Sequence, residues 1–419
     1  MKNKEVLASI ITIGDELIIG QVIDTNSAWI AQQLNLLGIW IRRRVSVGDD
    51  ADEIRRALDE ESTYSKIILI TGGLGPTADD ITKPLLSQYF DSPLVVNEEV
   101  LKFVKHLFEN VFKRPFTELN RKQAEVPANC TVIPNERGTA PGMLFEKNGV
   151  IFVSMPGVPH EMKGMMSNKV IPLLKERFSG NYIVHRTLLT TGIGESALAE
   201  HIASWEMNLP PEIRLAYLPS YGMVRLRLTA KGSDKSSINT ALDKRFEELK
   251  EWVSEWLVND EDLSMQQIIY QRLKDSGKTM CTAESCTGGY IARLITEQAG
   301  ASAFFNGSVV AYANAVKQDV LDVREETLKL HGAVSEETVK EMLAGALKSL
   351  KADYGIATSG IMGPDGGTAE KPVGTVWIAA GSATKVLTRR FHFRYDRGRN
   401  IEMTAAQALN LLRVVLEDK

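Results

Sequence analysis

One stretch limits what this chain can fold into more than any other: Thr279-Met-Cys-Thr-Ala-Glu-Ser-Cys-Thr-Gly-Gly289. Thr279 to Ala283 is short, small and β-leaning, and is expected as a buried strand. It breaks at Glu284-Ser-Cys-Thr-Gly-Gly289, a cluster of turn and capping residues. Apolar residues at Ile291, Leu294 and Ile295 then follow at helical spacing. A strand, a tight glycine turn and a helix in succession belong to an α/β sheet. Such a turn points unpaired backbone N–H groups outward at a helix start, where negative charge is favoured. Ser285 sits on it, with Cys286 and Thr287 alongside. A hydroxyl held there suits a nucleophile. The plainer alternative is that Ser285 only caps the helix and the glycines only allow close packing.

The 419 residues are too many for one typical domain. A net charge of −4 removes the bulk electrostatic case for nucleic acid or an anionic membrane surface. The three cysteines, Cys130, Cys281 and Cys286, make neither a disulfide framework nor a C-x-x-C metal spacing, which suits a reducing cytoplasm. Met1 to Glu5 leads into a strand-like run without a signal-peptide pattern. No apolar run reaches the roughly 18 residues of a membrane span. A cytoplasmic location is therefore expected.

Residues 1–170 alternate strand-like and helical segments. Val6–Ile13, Ile39–Val47 and Lys66–Thr71 read as strands, and Asp24-Thr-Asn-Ser27 caps the first helix. That alternation argues a parallel sheet, whose ligands lie beyond the strands' carboxyl ends. Gly14-Asp-Glu16 and Thr71-Gly-Gly-Leu-Gly-Pro-Thr-Ala-Asp-Asp80 both fall there. Gly72, Gly73 and Gly75 would let backbone amides approach an anion. Asp15, Glu16, Asp24, Asp79 and Asp80 are hard carboxylates suited to a divalent cation bridging phosphate oxygens. No Walker loop or G-x-G-x-x-G is present. The alternative is that Pro76 to Asp80 only starts a helix, its acids complementing the dipole.

Four motifs in order carry a resemblance: Gly14-Asp-Glu-Leu…Gly20…Asp24-Thr-Asn26, Gly72 to Asp80, Gly138-Thr-Ala-Pro-Gly142 and Pro156-Gly-Val-Pro-His-Glu-Met162. Together they resemble the N-terminal half of the CinA family, a molybdopterin-binding-like α/β domain. The resemblance implies metal-dependent hydrolysis of ADP-ribose to AMP and ribose 5-phosphate, with a divalent cation of Mg or Co type. Its implied substrate contacts are Asn26, Gly72, Gly73, Gly75, Thr77 and Glu161. Asp15, Asp79 and Asp80 are the implied metal ligands, with Asp79 or Asp80 orienting water. Which carboxylate ligates and which acts as base stays open. Molybdopterin binding is the alternative for this half.

Residues 171–260 read as a small α+β module. Arg214–Leu218 and Met223–Leu228 form a hairpin, and Ser236–Trp256 a helix. CinA-like proteins carry a KH-like module here. Gly192-Ile-Gly-Glu195 places an acid in the nucleic-acid G-x-x-G position, so the module is expected as a spacer without RNA binding.

Residues 261–419 hold the opening stretch and a second glycine loop, Ser359 to Thr368, expected at the same sheet edge. Ala283 to Gly289, Tyr312…Lys317, His331 to Ser335, Gly360 to Gly367 and Lys371 to Trp377 closely resemble the CinA C-terminal domain. That domain occurs alone as a nicotinamide mononucleotide deamidase. The resemblance implies a Ser-Lys amidase with Ser285 as nucleophile and Lys317 as base. An ordinary lysine, near pKa 10.4, must be desolvated for that role. Amides from Cys286 through Gly288 and Gly289 would hold the oxyanion, and Tyr312 and Thr287 would join the proton relay. Ser359, Gly360, Gly363, Gly366 and Gly367 would hold ribose or phosphate, and Arg397 the 5′-phosphate. Cys286, a thiol at a helix start, is the alternative nucleophile. Met362 and Ile401 depart from the family pattern.

The expectation is a bifunctional pyridine-nucleotide recycling hydrolase acting on nicotinamide mononucleotide and ADP-ribose, a homodimer, with neither membrane nor nucleic acid as partner. Its rivals are a non-catalytic competence or recombination partner, and an enzyme with one half inactive as a sensor.

Overall fold

A computed structural model describes residues 6–77, 79–178 and 180–417. By density of internal contacts the chain divides into two compact units. One runs to His185 and adds Pro210–Arg214 and Thr229–Lys244. The other comprises Arg186–Leu209, Leu215–Leu228 and the chain from Arg245 onward. Residues of the middle segment fall to both units.

The first unit opens with β1 (Leu7–Ile13), α1 (Thr25–Leu36), β2 (Trp40–Val47), α2 (Ala51–Tyr64), β3 (Ile67–Thr71) and α3 (Thr82–Tyr89). It continues through β4 (Thr131–Ile133), β5 (Gly142–Lys147), β6 (Val150–Met155) and α4 (Pro159–Met165). The strands order as β2-β1-β3-β6-β5-β4. The first four run parallel, while β5 and β4 pair antiparallel at one edge. The sheet is mixed, therefore, rather than parallel throughout. Asp24 caps α1 by accepting from the Ser27 amide at 2.9 Å. Alternation sets the core: Ile11, Ile13, Ile68 and Ile70 pack on one face, and Ala8, Ile10, Ile67 and Leu69 on the other.

The α2 helix carries on through Glu61 to Tyr64. The reason is Glu61, which is buried and accepts from Ser9 Oγ at 2.6 Å while pairing with Arg43 at 3.0 Å. A charge satisfied by distant residues leaves no trace in local periodicity.

In the middle segment, β7 (Tyr182–Thr191), α5 (Glu195–Glu206), β8 (Ile213–Ser220), β9 (Met223–Gly232), α6 (Lys235–Trp252) and β10 (Leu257–Asn259) build a sheet ordered β8-β9-β7-β10.

The remainder holds α7 (Met265–Ser276), β11 (Met280–Glu284), α8 (Tyr290–Thr296), β12 (Phe305–Val310), α9 (Asn314–Leu321) and α10 (Glu336–Leu350). It closes with β13 (Tyr354–Gly360), β14 (Thr375–Gly381), β15 (Val386–His392) and α11 (Arg397–Glu417). Strand order is β12-β11-β13-β14-β15, with β12, β11 and β13 parallel and the last two antiparallel. Ser264 forms a capping box with Gln267, and Gly277 ends α7 in the left-handed conformation. The β11 strand is interior and buried at every residue, so its carboxyl end delivers Ser285 to a fixed point.

Candidate active site

The Ser285 turn is held from both sides. Ser285 N donates to Thr358 O at 2.9 Å, extending the β11–β13 ladder by one residue. The Glu284 side chain, fully buried, turns back onto α8. It accepts from the amides of Gly289 (3.0 Å), Ile291 (3.1 Å) and Ala292 (2.8 Å) and from Thr282 Oγ1 (3.2 Å). Gly288 N donates to Ser285 O at 3.2 Å. The Gly288 and Gly289 amides expected at an oxyanion are thus already used. Those of Cys286 and Thr287 donate to no acceptor among the described residues.

Lys317 rises from α9 with 1% of its surface exposed. Its Nζ lies 3.0 Å from Ser285 Oγ, 2.8 Å from Ala311 O and 3.2 Å from Tyr312 O. Burial pushes its pKa below the ordinary lysine value. The partners suit both protonation states. An ammonium donates to all three. A neutral amine keeps its two N–H groups on the carbonyls and presents its lone pair to the Ser285 hydroxyl.

Other expected residues take different places. The Tyr312 carbonyl, not its phenol, meets Lys317; the ring is exposed and its Oη accepts from Arg397 Nη2 at 2.8 Å. Thr287 Oγ1 is shared with Thr358 Oγ1 at 2.8 Å, bracing the turn rather than relaying a proton. Cys286 packs in the apolar core, and burial pushes its thiol up to about 12, so it is not a thiolate. Ser359 Oγ donates to Ala333 O at 2.6 Å. Gly360 lies within β13, where a Cβ would meet Val376 Cγ2 at 2.7 Å, a packing demand. Arg397 Nη1 donates to Gly363 O at 2.8 Å, while Gly366 and Gly367 lie exposed on the same loop.

Two residues went unnoticed in the sequence. Glu284 was legible as an acid beside a helix start. Asn400 was not: it is buried and donates to Met362 O (3.0 Å) and Tyr395 O (2.9 Å), tying the glycine loop to the start of α11.

The Gly72–Asp80 loop closes on itself. Gly72 N donates to Met155 O at 3.1 Å. Asp80 accepts from Gly75 N (2.7 Å), Thr77 N (2.9 Å) and Thr77 Oγ1 (2.5 Å). Of the three glycine amides expected at a diphosphate, only that of Gly73 has no acceptor among the described residues. Asp80 organises the loop rather than facing outward. Asp79 is exposed. Asp15 and Asp49 accept from each other's amides at 3.1 and 3.0 Å. Burial, then the charges of Asp15, Glu16 and Asp79, hold the Asp49 carboxyl above its ordinary value.

Asn26 Nδ2 donates to Gly157 O at 2.7 Å, and its buried Oδ1 has no partner among the described residues. It lines a recess of about 100 Å³ with Glu16, Asp24 and Thr71. Glu161 lies elsewhere, against Gly138, accepting from Asn135 Nδ2 at 2.6 Å; burial raises its pKa. For the divalent cation that the family resemblance implies, these oxygens have the right hardness. Yet among the described residues no three His, Cys, Asp or Glu side chains are placed to share one ion, so the expected set Asp15, Asp79 and Asp80 is not assembled.

Fold and site together define a mixed α/β protein with a molybdopterin-binding-like unit, a KH-like middle and a second α/β sheet carrying a buried serine–lysine pair. Family models match in that order: the probable molybdopterin binding domain over residues 9–176, the damage-inducible protein CinA KH domain over 185–258 and the CinA C-terminal domain over 262–416. A CinA-like protein of Cytophaga hutchinsonii is 49% identical over 416 residues, covering 99% of each chain. Another, from Flavobacterium psychrophilum, is 43% identical over 406 residues, covering 97% of each. A third, from Chloroherpeton thalassium, is 43% identical over 418 residues, covering 98% of this chain and 99% of that one. The chain belongs to the CinA family. No helix among the described residues is long and apolar enough to cross a membrane.

Proposed function

We propose that residues 261–419 form an amidohydrolase that converts nicotinamide mononucleotide to nicotinate mononucleotide and ammonia. The observation that carries this is Lys317 Nζ, almost wholly buried, 3.0 Å from Ser285 Oγ. A buried ammonium without a carboxylate partner is costly, which favours the neutral base. Lys317 takes the Ser285 proton as Oγ attacks the carboxamide carbon. The oxyanion is held by the Cys286 and Thr287 amides. Collapse of the tetrahedral adduct breaks the C–N bond, and Lys317 returns the proton to the departing ammonia. Water, deprotonated by the same lysine, then hydrolyses the Ser285 ester. Arg397, whose guanidinium keeps unused N–H groups, binds the 5′-phosphate.

For the other unit we propose hydrolysis of a diphosphate ester, ADP-ribose, to AMP and ribose 5-phosphate. The unpartnered Asn26 Oδ1, the free Gly73 amide and the surrounding acids favour this reading. A divalent cation of Mg or Co type, a cytoplasmic site and a homodimer belong to the same proposal.

Ammonia release from nicotinamide mononucleotide by wild type, Ser285→Ala and Lys317→Ala tests the first activity. Release by wild type alone is expected. No release by wild type removes the reading, and release surviving Ser285→Ala moves the nucleophile elsewhere. AMP formation from ADP-ribose with and without a chelator tests the second. Undiminished turnover in chelator removes the metal, and no turnover in added metal removes the activity.

A further inference from the structure

Lys83 is a buried charge that no step above uses. It stands in the first turn of α3, directly after the Gly73–Asp80 loop, and is 7% exposed. Among the described residues its Nζ donates only to main-chain carbonyls, Gln123 O at 3.2 Å and Lys122 O at 3.4 Å. No carboxylate lies within ion-pair distance among the described residues. Burying an ammonium without a counter-ion is among the costlier things a fold can do. Carbonyl dipoles offset part of that cost and cannot neutralise the charge.

The surroundings show where a counter-ion belongs. The α3 helix has eight residues and no side-chain cap, and Pro84 in its first turn has no N–H to offer. Thr82 N donates to Gly73 O at 3.2 Å, bringing the helix start against the loop. Thr82 Oγ1, fully buried and unpartnered, sits beneath Gly73, in the space a Cβ there would fill. Gln123 Oε1, also buried, is unpartnered. The Gly73 amide is the one glycine amide of the loop left free among the described residues. A free amide and a buried, unpartnered hydroxyl therefore meet at the loop, with an unpaired cation on the helix turn that follows it.

We propose that Lys83 is the buried counter-charge of an anion subsite on the Gly73–Asp80 loop, one that takes a diphosphate, and that it sets the subsite's affinity without touching the ligand. This rests on the diphosphate-ester reading of that unit. Lys83 acts as a positioning residue through the field it adds to the loop. Burial lowers its pKa to about 8, so its charge is lost as pH rises through that value. The groups facing it are the carboxylates of Asp80 and Glu125 and the Cys130 thiol. That thiol, pushed up to about 11 by burial, stays neutral over most of the same range.

The test is calorimetric titration of the full chain with inorganic pyrophosphate, and separately with ADP-ribose, between pH 6.5 and 9.5, choices bracketing that value. Wild type, Lys83→Met and Lys83→Arg are compared at each pH, so the ligand's own ionisation cancels. Lys83→Met is expected to bind at least about tenfold more weakly at pH 7, with the gap closing above pH 8. Lys83→Arg is expected to bind as wild type at pH 7 and to keep its affinity where wild type loses it. Thermal unfolding of each variant separates lost binding from lost folding. Equal affinity of a folded Lys83→Met and wild type overturns the proposal, as does no binding of either anion by wild type. Lys83-dependent binding without AMP formation leaves the subsite standing and removes only the hydrolase reading.

Discussion

The Ser285 turn and the Gly72–Asp80 loop occupy matching places, each following an interior parallel strand and each leading into a helix. Each places an acid beside its glycines. In both, that acid takes amides that the motif alone would have assigned to a ligand: Glu284 holds Gly289, Ile291 and Ala292, and Asp80 holds Gly75 and Thr77. The difference lies in the lysine. Lys317 reaches across to the Ser285 hydroxyl, whereas Lys83 finds only carbonyls. A glycine-rich loop is thus not a ready-made anion cradle, because buried amides must be satisfied even without a ligand. The chemistry is decided by whichever side chain a neighbouring element pushes beneath the loop.

That contrast breaks first if Lys317 is dispensable. Lys317→Met is expected to lower kcat for ammonia release by about 10³-fold or more, since the serine loses its base. A loss confined to KM would make Lys317 a binding residue. Glu284→Gln comes next, with kcat down by about 100-fold and KM little changed, because a displaced nucleophile costs that much. An unchanged kcat would show that the Ser285 turn stands without its acid and that the parallel with Asp80 is superficial.

The two lysines also differ in what pH does. Lys317 must be neutral to act and its pKa is lowered, so kcat is expected to rise with pH to a plateau whose midpoint lies below the ordinary lysine value of about 10.5. A midpoint at the ordinary value would place the amine in solvent. For Lys83 the effect is on stability. Its pKa falls from 10.5 to about 8 on folding, so between those values the folded chain holds fewer protons than the unfolded one. Stability therefore rises with pH through that window. Urea unfolding of wild type against Lys83→Met should show the gain in wild type only, with a ceiling of about 3 kcal/mol. The smallest effect is expected from Cys286→Ala, with ammonia release changed by less than about threefold, because a buried neutral thiol is no nucleophile. A large loss would return Cys286 to the chemistry.

Much of the fold was readable along the chain. The continuous apolar runs of β1 and β3, the Asp24 and Ser264 caps and the Gly277 stop are local, and each element declares itself within a few residues. The antiparallel edge of β5 and β4 was missed, since strand direction depends on pairing rather than on pattern. At the site, the Ser285–Lys317 pairing was readable through the motifs. The outward turn of Tyr312, the Thr287–Thr358 bond and the inward fold of Asp80 were not.

The order of strands, glycine turns and helices, and the residue types able to carry acyl chemistry, were determined by the sequence alone, because they follow from periodicity and composition over short windows. Which amides stay free, which lysine loses its water and which acid faces inward were decided only by tertiary structure. Those outcomes depend on burial and on hydrogen-bond partners 26 to 71 residues away, as for Lys317 with Ser285, Ser359 with Ala333 and Thr287 with Thr358. Desolvation, the force that turns a lysine into a base, is a property of the packed interior and of no segment by itself.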